Sequence, residues 1–192
     1  MPALTPTERV LDAAERLFLE RGYGGTRLRD LAEDLGMKPA SLYHHAPGGK
    51  RELWHRVVDR ALERHRRGLQ RAATDGEGDL RRQLGAMIRY LLEQPPVNVV
   101  HLASASAPPA AETGVEPLAE RLYRTMMLPI REVYGEAQAQ GRVSDRFPVD
   151  LFAGVFLSAA NGLVAAHHAG SLPADGATMA AEVTELLLRG VE

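Results

Sequence analysis

The polar side chains with the clearest chemical potential lie between residues 38 and 50. Lys38 and His44 can donate hydrogen bonds to acceptors on the edges of DNA bases, and Ser41 can donate or accept them. The hydroxyl of Tyr43 is suited to hydrogen bonding with a phosphate of the DNA backbone. Lys50 follows a loop that would let its side chain reach the same DNA backbone. The exposed candidates for groove contacts are Lys38, Pro39, Ser41 and His44. These donors predict contacts with duplex DNA.

Two short helices would position these side chains. The first has Leu28, Leu31, Ala32 and Leu35 at helical spacing. Thr26 can cap it, and Gly36 can end it in the left-handed conformation of a tight turn. The second runs from Pro39 to about His45, and the small side chain of Ala32 lets the two cross closely. This pattern predicts a helix-turn-helix whose second helix enters the major groove, although plain helical packing would produce the same spacings.

The rest of the chain also has helical patterns, and we expect an all-α fold of about nine helices. Thr5 and Glu8 predict a capping box at the start of the first helix, which ends at Gly22. Further helices are predicted for residues 50–73, 79–94, 97–107, 117–140, 149–169 and 175–189, with a kink at Pro129. The breaker at residues 74–78 predicts an organisation into a DNA-binding domain over residues 1–50, a connecting helix over residues 50–73 and a larger domain over residues 74–192.

Composition narrows the class of protein. The chain has 192 residues and no cysteine, which excludes disulfides, thiolate metal sites and cysteine nucleophiles. Residues 1–67 hold 13 Lys and Arg against 10 Asp and Glu, or +3, and residues 68–192 hold 10 against 15, or −5. This asymmetry permits DNA binding by the N-terminal part. The start of the chain has no signal-peptide pattern, so we expect a cytoplasmic protein.

The most apolar stretch, residues 151–169, is expected to be a buried helix. It contains Ser158, Asn161, His167 and His168, which makes a membrane span the weaker interpretation. The two adjacent histidines point about 100° apart on a helix and are poorly placed to share a metal ion. The C-terminal half has no catalytic motif, so we expect no enzyme activity, no cofactor and no metal site.

The C-terminal half does contain the flexible and aromatic side chains typical of a pocket for an apolar small molecule. The candidates are Met87, Tyr90, Leu91, His101, Tyr123, Met126, Met127, Phe152, Phe156 and Asn161. The alternative for each of them is a plain core position.

A stripe of small residues, defined by Gly154, Ser158, Gly162 and Ala166, recurs every four residues and permits close approach of two backbones. We expect two copies of the chain to pack there, with help from Met179, Val183 and Leu187 of the last helix. Close packing within one monomer is the alternative.

Residues 26–45, together with Phe18, Gly22-Tyr23-Gly24 and Lys50-Arg51-Glu52-Leu53, resemble the DNA-binding domain of the tetracycline-repressor (TetR) family. The resemblance covers roughly residues 5–62 and departs at Ala46, where the family usually has an aromatic residue, and in a longer loop at residues 47–49. It implies a homodimer with a ligand cavity in the C-terminal domain. It also implies phosphate contacts from Thr26, Tyr43 and Lys50, with Arg27 on the DNA side.

These features together predict a repressor that a small, largely apolar effector releases from a palindromic operator. The expected partners are therefore duplex DNA with an inverted repeat, a small-molecule effector and a second copy of the chain. A transcriptional activator is one alternative. The other is an all-helical ligand-binding protein or enzyme whose helix-turn-helix is only structural.

Overall fold

The computed structural model describes residues 4–76, 78–94, 118–172 and 174–191, and this part of the chain contains eight helices and no strand. They are α1 (Pro6–Gly25), α2 (Leu28–Asp34), α3 (Pro39–His45), α4 (Gly49–Asp75), α5 (Leu80–Glu93), α6 (residues 118–139), α7 (Val149–His168) and α8 (Gly176–Arg189). The all-α prediction is confirmed. The helix predicted for residues 97–107 lies outside the described residues.

The helices begin where the sequence provides caps. The Thr5 hydroxyl accepts the N–H of Glu8 at 3.2 Å, and the Glu8 carboxylate accepts the N–H of Thr5 at 2.7 Å, which is the predicted capping box. The side chains of Asp79 and Asp175 cap α5 and α8 by accepting backbone N–H groups of the first turn. The predicted cap from Thr26 is wrong. The N-cap residue of α2 is Arg27, which makes no side-chain cap bond. Thr26 does not cap α2, because its hydroxyl donates to the carbonyl of Leu17 in α1.

Helix α6 is distorted close to Pro129, where the sequence predicts a kink. It contains an α-helical start (Leu118–Leu122), a π-helical turn (Tyr123–Met127) and a second α-helical part (Leu128–Ala139). The ring of Pro129 excludes the normal hydrogen bond to the carbonyl of Thr125, four residues earlier. The N–H of Leu128 instead reaches back five residues to the carbonyl of Tyr123. The predicted disturbance is therefore accommodated in the turn before Pro129.

The chain divides into two compact units, and the division falls inside α4, between Glu63 and Arg64. The first unit, called the N-terminal unit below, contains α1 to α3 and the first part of α4. Its core is built from fully buried side chains of all four helices: Val10, Ala14, Leu17, Phe18, Leu31, Leu42, Leu53 and Val57. This core holds the helix-turn-helix in place.

The C-terminal unit contains the rest of α4 and helices α5 to α8. Within it, the ring of Tyr90 lies directly on the backbone of α4 at Gly68, where an added Cβ would be 2.0 Å from the ring. The Tyr90 hydroxyl donates to the carbonyl of Arg64 at 2.9 Å. A glycine in the middle of α4 therefore allows α4 and α5 to pack this closely.

Helix α7 is long and apolar enough to cross a membrane, judged by length and composition alone. One of its faces, with Phe152, Ala153, Phe156 and Ala160, is buried in the core of the C-terminal unit. Only 28% of its most apolar window is buried, so the prediction of a buried helix holds for this face alone.

Asp175 makes the stability of α8 sensitive to acid. Hydrogen bonds from the Thr178 hydroxyl and the backbone N–H groups of Thr178 and Ala177 hold the pKa of its carboxyl below the usual value of 3.8. The stabilisation is therefore fully present above pH 3.8 and is lost as the pH falls through the lower pKa of the folded state. We expect the difference in melting temperature between wild type and Asp175→Ala to shrink as the pH falls below 3.8. A difference that is constant over this range would show that ionisation contributes nothing.

Candidate nucleic-acid interface

The turn between α2 and α3 has the geometry of a helix-turn-helix. Gly36 lies in the left-handed region with φ +62°, as the sequence predicted. The N–H of Met37 donates to the carbonyl of Ala32 at 2.9 Å, and that of Gly36 to the carbonyl of Glu33 at 3.1 Å. Ala32 is fully buried, so its small side chain permits the close crossing of the two helices.

Side chains of α1 and of the first part of α4 contact the ends of the two helices of this motif. Arg16 of α1 pairs with Asp34 at the end of α2 at 2.5 Å. The carbonyl of His45 at the end of α3 accepts a hydrogen bond from Arg56 of α4, also at 2.5 Å. Exposed ion pairs stabilise only weakly, so the buried core supplies most of the rigidity and these contacts set the orientation.

Helix α3 separates an inward from an outward face. Leu42 is buried, and the ring of His45 faces α1, where its Nδ1 lies 3.2 Å from the Thr7 hydroxyl oxygen. The side chain of Tyr43 is 53% exposed. The other predicted groove residues share that surface: Lys38, Pro39 and His44 are exposed and Ser41 is partly buried. The structure thus brings four of the predicted DNA-binding residues together on α3, with Lys38 directly before them as its N-cap residue.

Lys50 is held against the turn that precedes α2. Its Nζ donates to the carbonyl of Tyr23 at 2.8 Å and to that of Thr26 at 3.0 Å, and it lies 4.2 Å from the centre of the Tyr23 ring. An ammonium group has three donors, so one is left for a phosphate. Sequence reasoning placed Lys50 near the backbone of DNA but missed that it also fastens α4 to the end of α1.

Thr26 is buried and its hydroxyl lies within hydrogen-bonding distance of the carbonyls of Gly22 (2.8 Å) and Leu17 (3.1 Å). Its side chain therefore stabilises the turn between α1 and α2, and a direct phosphate contact from it stays a prediction. The neighbouring side chain of Arg27 is exposed.

The loop between α3 and α4 is closed by its own hydrogen bonds. Ala46 is buried, and its carbonyl accepts the N–H of Gly49 at 2.9 Å. Gly49 has φ +68°, and the N–H of Gly48 donates to the Glu52 carboxylate at 2.7 Å. These bonds fix the start of α4 and with it the position of Lys50.

Replacing Gly36 by alanine should destabilise the N-terminal unit by about 1–2 kcal/mol, since a left-handed residue with a Cβ costs about that much. The site has open space around a Cβ, so the cost comes from the backbone conformation alone. Chemical unfolding of the variant gives this difference, and Gly36→Asn should recover part of the stability because asparagine tolerates the left-handed region better. An unchanged midpoint for Gly36→Ala would contradict a strained turn.

In the C-terminal unit, five of the ten predicted pocket residues lie in one buried cluster: Met87, Leu91, Met126, Phe152 and Phe156. Tyr90 and Met127 pack partly against it. Tyr123 is instead exposed, with its hydroxyl 3.3 Å from Asp150, because the π-helical turn places it at the surface. Asn161 is partly buried on α7, and His101 lies outside the described residues.

Sequence reasoning missed Tyr134, which is fully buried in the same cluster. Its ring stacks on Phe152 with 3.8 Å between the ring centres, and its hydroxyl has no hydrogen-bond partner among the described residues. Burial raises the pKa of this hydroxyl. The spacing of Ile130, Tyr134 and Ala137 on one face of α6 was the signal in the sequence that could have found it.

The small-residue stripe of α7 faces away from the described part of its own unit. A Cβ added at Gly154 or Gly162 would meet no atom within 4 Å. Leu151 and Val155 beside the stripe are 52% and 47% exposed. Met179, Val183 and Leu187 of α8 are partly buried against the core. No described residue of the same chain therefore packs closely against Gly154 or Gly162.

Potential metal ligands do not converge in the described ranges, where no three His, Asp or Glu side chains come close enough to hold an ion. The rings of His167 and His168 are 5.4 Å apart and inclined by 64°, in line with their positions on adjacent faces of α7.

Comparison with known proteins identifies the N-terminal unit. Residues 10–57 match the family model of bacterial regulatory proteins of the tetR family. The HTH-type transcriptional regulator LmrA of Bacillus subtilis (strain 168) is 43% identical over 56 residues, which are 29% of this chain and 30% of LmrA. The matched segment thus spans about a third of that relative.

Solved structures extend the likeness to the whole chain. PfmR, a TetR family transcriptional regulator from Thermus thermophilus, has a TM-score of 0.69 and 26% identity, with 96% of this chain and 99% of PfmR covered. AibR, solved in complex with isovaleryl coenzyme A and operator DNA, has a TM-score of 0.71 and 21% identity, with 95% and 97% covered. Residues 10–57 therefore match the DNA-binding segment of the tetR family of bacterial regulatory proteins, and the chain as a whole has the fold of PfmR.

Proposed function

We propose that this chain is a transcriptional regulator that binds an inverted-repeat operator as a homodimer and leaves it when a small, largely apolar effector binds. The observation that carries the proposal is the exposed polar face of α3, presented by a helix-turn-helix with a buried core. Lys38, Ser41 and His44 would read base edges, and Tyr43, Lys50 and Arg27 would bind phosphates. The match of residues 10–57 to the tetR family model supports these roles.

The uncovered stripe of α7 supports the homodimer. Two glycines with open space, flanked by the exposed Leu151 and Val155, form a smooth apolar surface. A second copy would bury this surface across a two-fold axis and hold two α3 helices for the two halves of a palindrome. A single α3 of seven residues contacts only a few base pairs, so the dimer supplies much of the specificity.

The core of the C-terminal unit supports the effector. Met126, Phe152 and Phe156 give it flexible and aromatic walls, and the Tyr134 hydroxyl is available for a polar group of a ligand. AibR, whose fold this chain shares, was solved with both a small molecule and operator DNA. We propose the same division here, with residues 1–50 for DNA, α4 as the connection and residues 74–192 for the effector and the dimer.

Repression is the proposed output, because a dimer bound at a promoter excludes other proteins from the same DNA. Such a protein acts on chromosomal DNA, so we also propose that it is cytoplasmic and not an enzyme.

Fluorescence anisotropy with labelled duplexes tests the proposal. The DNA upstream of the protein's own gene should bind at nanomolar protein, and the logarithm of the affinity should fall steeply and linearly with the logarithm of salt concentration. A scrambled duplex of equal length is the control and should bind at least about 10³-fold more weakly. Equal affinity for both duplexes, or affinity that is insensitive to salt, would leave the helix-turn-helix with a structural role only.

A further inference from the structure

The surface of the C-terminal unit has a groove between α5 and α8 that the proposed function does not use. Its volume is about 650 Å³, inside the range of about 300–1,000 Å³ typical of small-molecule sites. The charged residues that line it are Arg81, Arg82, Arg89, Arg189, Glu182 and Glu185. Four arginines against two glutamates give the groove a formal charge of +2.

The positive charge is only partly neutralised within the chain. Glu185 forms ion pairs with two arginines, Arg81 and Arg189, and accepts a hydrogen bond from Arg189 at 2.8 Å. Arg82 and Arg89 make no ion pair or side-chain hydrogen bond to a described residue. These two guanidinium groups are available to an incoming anion.

Between the charged side chains, the groove is lined by Gly85 of α5 and by Ala181, Thr184 and Leu186 of α8. The hydroxyl of the buried Thr184 donates to the carbonyl of Ala180 at 2.7 Å. An added Cβ at Gly85 would lie 3.5 Å from Nη1 of Arg89, so the Arg89 guanidinium lies over the glycine backbone. A ligand can therefore place its organic part against Ala181 and Leu186 while its anionic group meets the arginines.

We propose that this groove binds a small organic phosphate monoester. Guanidinium groups bind phosphate oxygens through two parallel hydrogen bonds, which a carboxylate also allows. The charge distinguishes the two anions, because a phosphate monoester carries about −1.5 to −2 at pH 7 and balances the formal charge of the lining. A carboxylate carries a single negative charge and leaves one positive charge in the groove.

Isothermal titration calorimetry on the full chain without DNA, with phenyl phosphate as the probe, tests the ligand class. Phenyl phosphate should bind once per chain and more weakly as salt rises, since the contact is electrostatic. Benzoate should bind at least tenfold more weakly, and phenol should not bind. Equal binding of phenol would show an apolar site, and equal binding of benzoate would overturn the preference for phosphate.

A matched pair of variants tests the location. Ala181→Glu puts a negative charge on the lining of the groove and should reduce phenyl phosphate affinity at least tenfold, whereas Ala181→Gln, of the same size, should retain it. The double variant Arg82→Gln/Arg89→Gln should also lose affinity at least tenfold. Arg142→Gln, an exposed arginine outside the groove, and Lys38→Gln on α3 should bind as wild type does. Normal binding by Ala181→Glu, or an equal loss in Lys38→Gln, would place the phosphate elsewhere and overturn the proposal.

Discussion

Gly68→Ala should unfold the C-terminal unit at markedly lower denaturant concentration than wild type. The added methyl group would lie 2.0 Å from two ring atoms of Tyr90, so either the ring or helix α5 must move. Overpacking of this kind costs about 1–3 kcal/mol, and a shift of the ring would also break the hydrogen bond from the Tyr90 hydroxyl to Arg64. Circular dichroism during urea unfolding measures the change.

Two further variants identify the cause of that loss. Gly85→Ala on α5 is the matched control, because its Cβ would be 3.5 Å from the nearest atom and alanine favours helix over glycine by about 1 kcal/mol. It should be neutral or stabilising. Adding Tyr90→Leu to Gly68→Ala removes the clash, so the double variant should be less destabilised than the sum of the two single changes. Simple additivity would contradict a direct contact between residues 68 and 90.

Lys50→Met should lower operator affinity by about tenfold and equally for all operator sequences, since a phosphate contact carries no base information. The change removes one cation, which should reduce the salt slope by about 1. It also removes the hydrogen bonds from Nζ to the carbonyls of Tyr23 and Thr26, so the melting temperature of the N-terminal unit should fall as well.

The two roles of Lys50 can be separated. Lys38→Met removes an exposed cation of α3 that makes no structural contact of this kind with the described residues, so it should lower DNA affinity and leave the melting temperature unchanged. If Lys50→Met melts as wild type does, the lysine does not fasten the turn between α1 and α2. If its salt slope is also unchanged, the lysine contacts no phosphate.

Local signals in the sequence were sufficient for most of the fold. The capping box at Thr5, the left-handed Gly36 and the Pro39 start of α3 depend on a few neighbouring residues, and the structure has all three. The outward face of α3 was also predictable, because the helical spacing within residues 39–45 alone separates the buried positions from the exposed ones.

Features that depend on a distant partner were not predictable in this way. The sequence shows a glycine at residue 68 and a tyrosine at residue 90, but only the tertiary structure brings them into contact. The inward hydrogen bonds of Lys50 join residues 24 and 27 positions apart. The exposure of Tyr123 depends on a π-helical turn, whose register differs from the regular period that sequence patterns assume.

The glycines of the α7 stripe lower the stability of the helix but leave a surface on which a second copy can pack. Each glycine inside a helix costs about 0.5–1 kcal/mol relative to alanine, and neither Gly154 nor Gly162 avoids a clash with the described part of its own chain. An isolated chain therefore carries this cost uncompensated, and association can offset it. The apparent thermal stability should then rise with total protein concentration, by mass action. In the proposed homodimer, substitutions along the stripe would leave the isolated fold intact while changing the concentration at which two copies associate.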